Sequence, residues 1–288
     1  MPEWHLHLAS VDDPLWQRMG AEMAMALADL IRAGQQRGDM VSDFVLLALV
    51  GFCAQLVDGA LGMAFGLIST SALLALGLPP AHASAAAHTA ELATTAVSGV
   101  SHLAHGNVDR RLLVRLALAG AAGGSLGAFV LSNVDGSAIR PFVAAYLLVM
   151  GVLILLRVAR SARGTDVSPA GAAPLGLVGG FLDAIGGGGW GPMVTSTLIG
   201  SGHAPRKVIG SVNTSEFFVT GAVSATFFGQ LGGAHLWSVA GLIAGGVLAA
   251  PLAGYLVKRV RPEPLMVAVG IIISLLALRE LAVAFSIF

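Results

Sequence analysis

The sequence predicts an all-α integral membrane protein of two inverted five-element repeats with Gly-rich broken or re-entrant helices, preceded by an amphipathic N-terminal helix. Three observations carry this expectation. Of the 288 residues, 56% are hydrophobic and 11% charged, whereas an average soluble domain carries about 25% charged residues. Apolar segments recur from Val41 to Phe288 with only short polar or Gly/Pro breaks, and one bilayer crossing takes about 20 apolar residues. Finally, a stretch of the first half returns in the second with its acids in register. The formal net charge is zero, which leaves no basic surplus for nucleic acid. The single cysteine, Cys53, supports neither a disulfide framework nor a Cys-based metal site, and no cofactor is called for.

The elements follow in order. In residues 1–42, Trp16, Met19, Met23, Leu27, Leu30 and Ile31 fall at helical spacing with Gln17, Arg18, Glu22, Asp29 and Arg32 between them. That pattern makes an amphipathic helix that lies on the interface or packs on a partner protomer. A first membrane repeat spans 43–158, with elements near 43–57, 60–77, 81–105, 112–132 and 138–158. A linker over 159–172 joins it to a second repeat over 173–288, with elements near 173–184, 188–201, 205–230, 235–257 and 263–286.

A shift of 125 residues lays Asp58 to Glu91 on Asp183 to Glu216 without a gap, and ten of 34 positions match. The matches include Asp58/Asp183, Thr70/Thr195, Ser71/Ser196, Thr89/Thr214 and Glu91/Glu216, residue types that an Ala/Leu-rich composition does not pair by chance. Basic residues group in four loops, at Arg110/Arg111/Arg115, Arg157/Arg160/Arg163, Arg206/Lys207 and Lys258/Arg259/Arg261, while the alternate loops hold only Arg140. Five elements per half put all four groups on one side, which the positive-inside rule makes the cytoplasm of an inner membrane. The odd count inverts the halves and leaves both chain ends outside, a recurrent transporter plan.

Ionisable residues at membrane depth mark the candidate chemistry, because an acid near the bilayer centre costs about 2.5–3.5 kcal/mol on insertion scales. Asp58, Glu91, Asp183 and Glu216 form two repeat-related pairs. Asp58 and Asp183 each precede a Gly-rich break, DGALGMAFG and DAIGGGGWG, where an acid can accept from free N–H groups of the next helix. Four consecutive glycines, Gly186 to Gly189, interrupt a helix, and the helix start beyond such a break suits an anion. Gly62, Gly66, Gly187, Gly188 and Gly189 are therefore candidate substrate contacts, with Thr89, Asn213 and Thr214 from the repeated polar stretch. The third element carries a polar stripe, Ser84, His88, Glu91, Thr95, Ser98, His102 and His105, on one helix face. Its central part persists in the second half as Asn213, Glu216 and Thr220. His88, one turn from Glu91, pairs with it as a candidate proton relay. No HExxH metal spacing occurs.

DAIGGGGWGP, from Asp183 to Pro192, and GSVNTSE, from Gly210 to Glu216, resemble the glycine signature and second polar motif of the sulfite exporter TauE/SafE family. The resemblance covers about Asp43 to Leu281 and excludes the amphipathic N-terminal segment; the first-half motif is a degenerate version, with Ala60, Leu61, Met63 and Ala64 where Gly is typical. It implies a secondary transporter, not an enzyme, that moves small sulfur-containing anions such as sulfite, sulfoacetate or related organosulfonates out of the cytoplasm. Protons coupled through Asp58, His88, Glu91, Asp183 and Glu216 would then offset the charge of the acids around the anion. Residue chemistry alone also admits a carrier or channel for Na⁺, Ca²⁺ or a divalent metal, with the paired acids as ligands. The expected partners are the small anion, protons and the bilayer, and a homodimer is compatible with the apolar outer faces.

Overall fold

The computed structural model describes residues 40–61, 63–159, 171–233, 236–256 and 262–285. The expected amphipathic helix, most of the linker and Gly62 lie outside these residues. The helices are α1 (Met40–Leu61), α2 (Phe65–Ala75), α3 (Pro80–Ala104), α4 (Arg110–Asn133), α5 (Gly136–Ala159), α6 (Ala172–Gly186), α7 (Ser196–Gly200), α8 (Pro205–Leu231), α9 (Leu236–Leu256) and α10 (Pro262–Ala284), with a π-helical turn at Gly191–Thr195 leading into α7. No strand occurs among the described residues. Among the described residues, three helical segments are long and apolar enough to cross a membrane: Arg110–Asn133, Gly136–Leu156 and Met266–Ala284, with mean hydropathies of 1.6, 2.3 and 2.2.

Local chemistry explains the boundaries. The Asp109 carboxylate accepts from Arg111 N at 2.8 Å and Leu112 N at 3.2 Å, which caps the start of α4. Pro80, Pro205 and Pro262 stand at first helical positions, where a missing N–H costs nothing. The first helix differs from expectation: it begins at Met40 and continues through Asp58 to Leu61, so the break falls at 62–64 rather than directly after residue 57.

Small residues set the tightest seams. In the seam of α1 with α9, a Cβ at Gly51 or Gly245 would collide with the backbone of Leu242 or Ala48. In the seam of α4 with α6, Gly123 and Gly180 meet the backbones of Leu177 and Gly120 in the same way. Such close backbone approach is how helices pack where lipid removes the hydrophobic drive. Helices α5 and α10 form a third seam through Gly151 and Gly270, and α3 and α8 a fourth, where Gly99 lies against Thr214.

Contacts between loops fix the direction of each helix. At one end of the bundle, the 105–109 loop is gripped by the start of α8: Arg206 Nε donates to Asn107 Oδ1 at 2.5 Å and Lys207 Nζ to the Gly106 carbonyl at 2.9 Å. At the other end, Asn133 Nδ2 donates to Gln230 Oε1 at 3.2 Å, and Gly136 lies beside Pro79 and Pro80. Helix α9 starts at this second end, and Phe44 packs at a tilt against Trp237 with centroids 5.4 Å apart, so α1 starts there too. Because α2 ends at the same end, beside Arg140, α1 and α2 form a hairpin inserted from it. Helix α6 runs alongside α4 from the opposite end, Gly176 against Leu116 and Gly127 against Phe181, and the chain returns through α7 to Pro205 at that end. The structure thus holds two helical hairpins that enter the bundle from opposite ends.

Candidate functional site at the hairpin tips

The second tip is built by glycine backbone and one carboxylate. Helix α6 stops at Gly186, and Gly187, Gly188 and Gly189 take φ of 71°, 156° and 126°, a region that any side chain would strain. Asp183, in the last turn of α6, organises the reversal: its main-chain oxygen accepts from Gly188 N at 3.0 Å, and its Oδ1 from Trp190 N at 2.8 Å. Its Oδ2 lies 3.1 Å from His88 Nε2. His88 Nδ1 lies 2.9 Å from the Ser84 carbonyl, which can only accept, so Nδ1 carries a hydrogen. One proton therefore sits between Nε2 and Oδ2, as an imidazolium facing a carboxylate or a neutral ring facing a carboxylic acid. The Ser84 hydroxyl in turn donates to the Ala184 carbonyl at 2.6 Å, which ties α3 to the end of α6.

The first tip repeats the device at the same spacing. Ala64 stands at φ 92°, and Phe65 N points at Asp58 Oδ1 from 3.4 Å, seven residues on, as Trp190 is from Asp183. The two tips touch. A Cβ on Gly66 would lie 2.8 Å from the Gly187 oxygen and 2.9 Å from Gly188 Cα. Two hydroxyls clamp the glycine carbonyls: Thr70 Oγ1 donates to Gly187 O at 2.7 Å and Tyr146 OH to Gly188 O at 3.0 Å.

Glu91 and Glu216, on α3 and α8, are both buried. Glu91 Oε2 lies 3.4 Å from a Cβ position on Gly66, so its carboxyl reaches the first tip. Glu91 interacts electrostatically with Asp58, His88 and Asp183, and Glu216 with Asp58, Glu91 and Asp183. The structure thus brings the five expected ionisable residues around one point. Thr95 and Thr220 hydroxyls bond back to the carbonyls of Glu91 and Glu216 at 2.9 and 2.8 Å, at positions 125 residues apart.

Some expectations change. His88 bonds Asp183 across the halves, because the helical reversal brings the Asp183 carboxylate to its ring, and it also interacts electrostatically with Glu91, its expected relay partner. Thr89 and Thr214 turn their hydroxyls onto their own helices, donating to Ala85 O and Gly210 O, each at 2.7 Å. Asn213 Nδ2 lies 3.4 Å from His102 Nε2, toward the basic end. Thr70 figures in the sequence only as a match to Thr195, and Tyr146 not at all. The signal for Tyr146 was a phenol in an apolar helix, whose polar tip needs a buried partner. Among the described residues, no group of three or more His, Cys, Asp or Glu is arranged to hold a metal ion.

Electrostatically, the helical segments that follow the two breaks both aim their N-termini at the tip contact, each worth about half a positive charge. Asp58 and Asp183 already accept from those ends, and Glu91 and Glu216 stand beside them. Among known proteins, the profile of the family described as Sulfite exporter TauE/SafE matches residues 47–280. The chain is also 43% identical over 247 residues to the probable membrane transporter protein YtnM of Bacillus subtilis (strain 168), an overlap of 82% of each chain. No solved structure matches.

Proposed function

The chain belongs to the sulfite exporter TauE/SafE family of membrane proteins, and from that membership we propose a proton-coupled exporter of a small sulfur-containing anion, sulfite, sulfoacetate or a related organosulfonate. The observation that carries this reading is the meeting of two hairpin tips from opposite ends, with two helix N-termini and the buried Glu91 and Glu216 around the contact. An anion gains from the helix ends and is repelled by carboxylates, so its binding takes up protons on Glu91 and Glu216. Asp183 is engaged by His88 and by Trp190 N, and Asp58 by Phe65 N. These two acids therefore shape the tips, while the glutamates are assigned the transported protons.

The halves are read as inverted repeats that rock about this site. Support comes from corresponding features at a shift of 125: the Asp-to-aromatic amide bonds, the Thr95 and Thr220 back-bonds, and the packing glycines Gly51/Gly176 and Gly120/Gly245. The loops after α2 and after α7 lie at opposite ends of the bundle, as inversion requires. With the basic loops in the cytoplasm, α1 begins and α10 ends outside an inner membrane. Four neighbouring carboxylates favour a second reading, a cation carrier. Against it, the Gly187 and Gly188 carbonyls, natural cation ligands, already accept hydroxyl hydrogens.

The test is flux into proteoliposomes with an internal pH dye, for wild type, Glu91→Gln and Glu216→Gln, under sulfite, sulfoacetate, sulfate, Na⁺ and Ca²⁺ gradients. The reading stands when a sulfur oxyanion drives proton movement in wild type and a Gln variant uncouples it. Proton movement driven only by cations overturns it.

A further inference from the structure

The two hairpins look alike in sequence but are held differently at their roots. The return arm of the first, α2, has all eleven residues buried. Its last carbonyls accept from two arginines on other helices: Arg140 of α5 donates to Leu74 O at 2.7 Å, and Arg279 of α10 to Ala75 O at 3.2 Å. Both arginines converge on Glu280, itself 1% exposed, at 2.6 and 2.8 Å. Cations at a helix C-terminus complement its dipole, and a buried acid between two arginines resists separation because losing either partner strands a charge. This network ties α2 to α5 and α10.

Among the described residues, the return arm of the second hairpin is held differently. Its terminal carbonyls are satisfied from within its own turn: Thr197 O accepts from Ser201 N and Oγ, and Leu198 O from His203 N. Of residues 191–200, only Gly191, Val194, Thr195 and Leu198 are buried. The arm opens with a π-helical turn at Gly191–Thr195 that contains Pro192, and such turns mark sites where a helix changes register. Beside it lies a cavity of about 470 Å³, bounded by Met150, Leu153 and Ile154 of α5, by Met63 of the first tip, and by Met193 and Ser196 of the arm.

We infer that the hairpins divide the work of transport: Arg140, Arg279 and Glu280 are positioning residues that hold the first hairpin as a fixed wall of the site. Residues 191–200 are the moving gate, which swings into the cavity beside α5. The inference rests on the tip contact being the substrate site, but its first test does not depend on any substrate. Hydrogen exchange measured by mass spectrometry on the full chain in nanodiscs should show residues 191–200 exchanging at least tenfold faster than 65–75. Arg140→Ala should raise exchange in 65–75 and leave 191–200 unchanged. Equal exchange of the two arms in wild type, or slower exchange in the second, overturns the inference.

The second test pins the gate. Met150→Cys with Met193→Cys, in a Cys53→Ser background, is bridged across the cavity by a reversible bis-methanethiosulfonate, with the cross-linked fraction measured by mass. Sulfite efflux should fall at least tenfold and return on reduction. Unchanged efflux through the fully bridged protein refutes the moving gate. Absence of sulfite efflux in wild type would instead remove the proposed substrate, leaving the exchange result to decide the motion.

Discussion

Gly66→Ala is the smallest change that separates the hairpin tips. The added methyl would lie 2.8 Å from Gly187 O, 2.9 Å from Gly188 Cα and 3.4 Å from Glu91 Oε2. Two of these atoms are backbone, and Gly187 is itself pinned through its carbonyl by Thr70, so neither side can yield by rotating a side chain. Overpacking of this kind costs about 1–3 kcal/mol, roughly a 5- to 150-fold change in the population of the closed contact. In thermal unfolding, each kcal/mol lowers Tm by about 2–4 °C for a protein of this size class. The control is Gly229→Ala on α8, where nothing lies within 4 Å of the new atom; relieving a helical glycine there should stabilise by about 0.5–1 kcal/mol. The assay is Tm in detergent for both variants, paired with sulfite flux in proteoliposomes. Wild-type Tm and flux in Gly66→Ala, with the control shifted upward as expected, would refute the tip contact as the centre of the site.

Thr70→Val and Tyr146→Phe each strip the donor from a buried glycine carbonyl, a loss of about 1–3 kcal/mol, read as a lower Tm and a raised KM for the anion proposed as substrate. Asp183→Ala removes one member of the buried pair with His88 and should destabilise by about 3–5 kcal/mol, whereas Asp183→Asn keeps an acceptor for Trp190 N and should cost less; ¹⁵N spectra of His88 report the lost partner. On the proposed reading, sulfoacetate should bind about tenfold tighter per unit fall in pH for each proton taken up, and Glu91→Gln should flatten that slope in a flux titration. In the α4–α5 loop, the Ser137 hydroxyl, with the Ala138 and Ser137 amides, holds the Asp135 carboxyl below its usual range. A lowered folded value adds stability that is complete above the unfolded carboxylate pKa, near 4, and is lost as pH falls through the folded value. Asp135→Ala should therefore remove part of the acid-side decline in Tm measured across that range.

Much of the fold was legible because lipid imposes length and polarity on each segment. Nine of the ten expected elements coincide with helices to within a few residues at each end, and the glycine run marked the second tip because consecutive glycines cannot hold a helix. The α1 boundary was misplaced since Asp58 looked like a helix stop, whereas its side chain reaches forward to Phe65 N from inside the last turn. Partner choice was the less legible part. His88 and Glu91 are one turn apart, which the sequence can show. The bond to Asp183 spans 95 residues, and only the helical reversal decides it. Arg279 and Glu280 sat unremarked in an apolar helix, although charges at such depth are almost always paired.

The charges at the tips explain why two kinds of acid stand together. The two helix starts contribute about one positive charge between them, and Asp58 and Asp183 accept from the amides at those starts. An aspartate in that role must keep an oxygen on a fixed N–H through the cycle, since losing it would free the amide of Phe65 or Trp190 and unmake the turn. Such a residue is poorly suited to shuttle protons. Glu91 and Glu216 sit on the continuous helices α3 and α8 rather than on the reversals, and their longer side chains can gain and lose a proton without altering the backbone that shapes the site. His88, fixed by Ser84 on one nitrogen and Asp183 on the other, already shares its proton with the tip-forming acid and stiffens the reversal. On the proposed reading the labour divides accordingly: aspartates and histidine build the turns, and the glutamates beside them are left to balance an arriving anion.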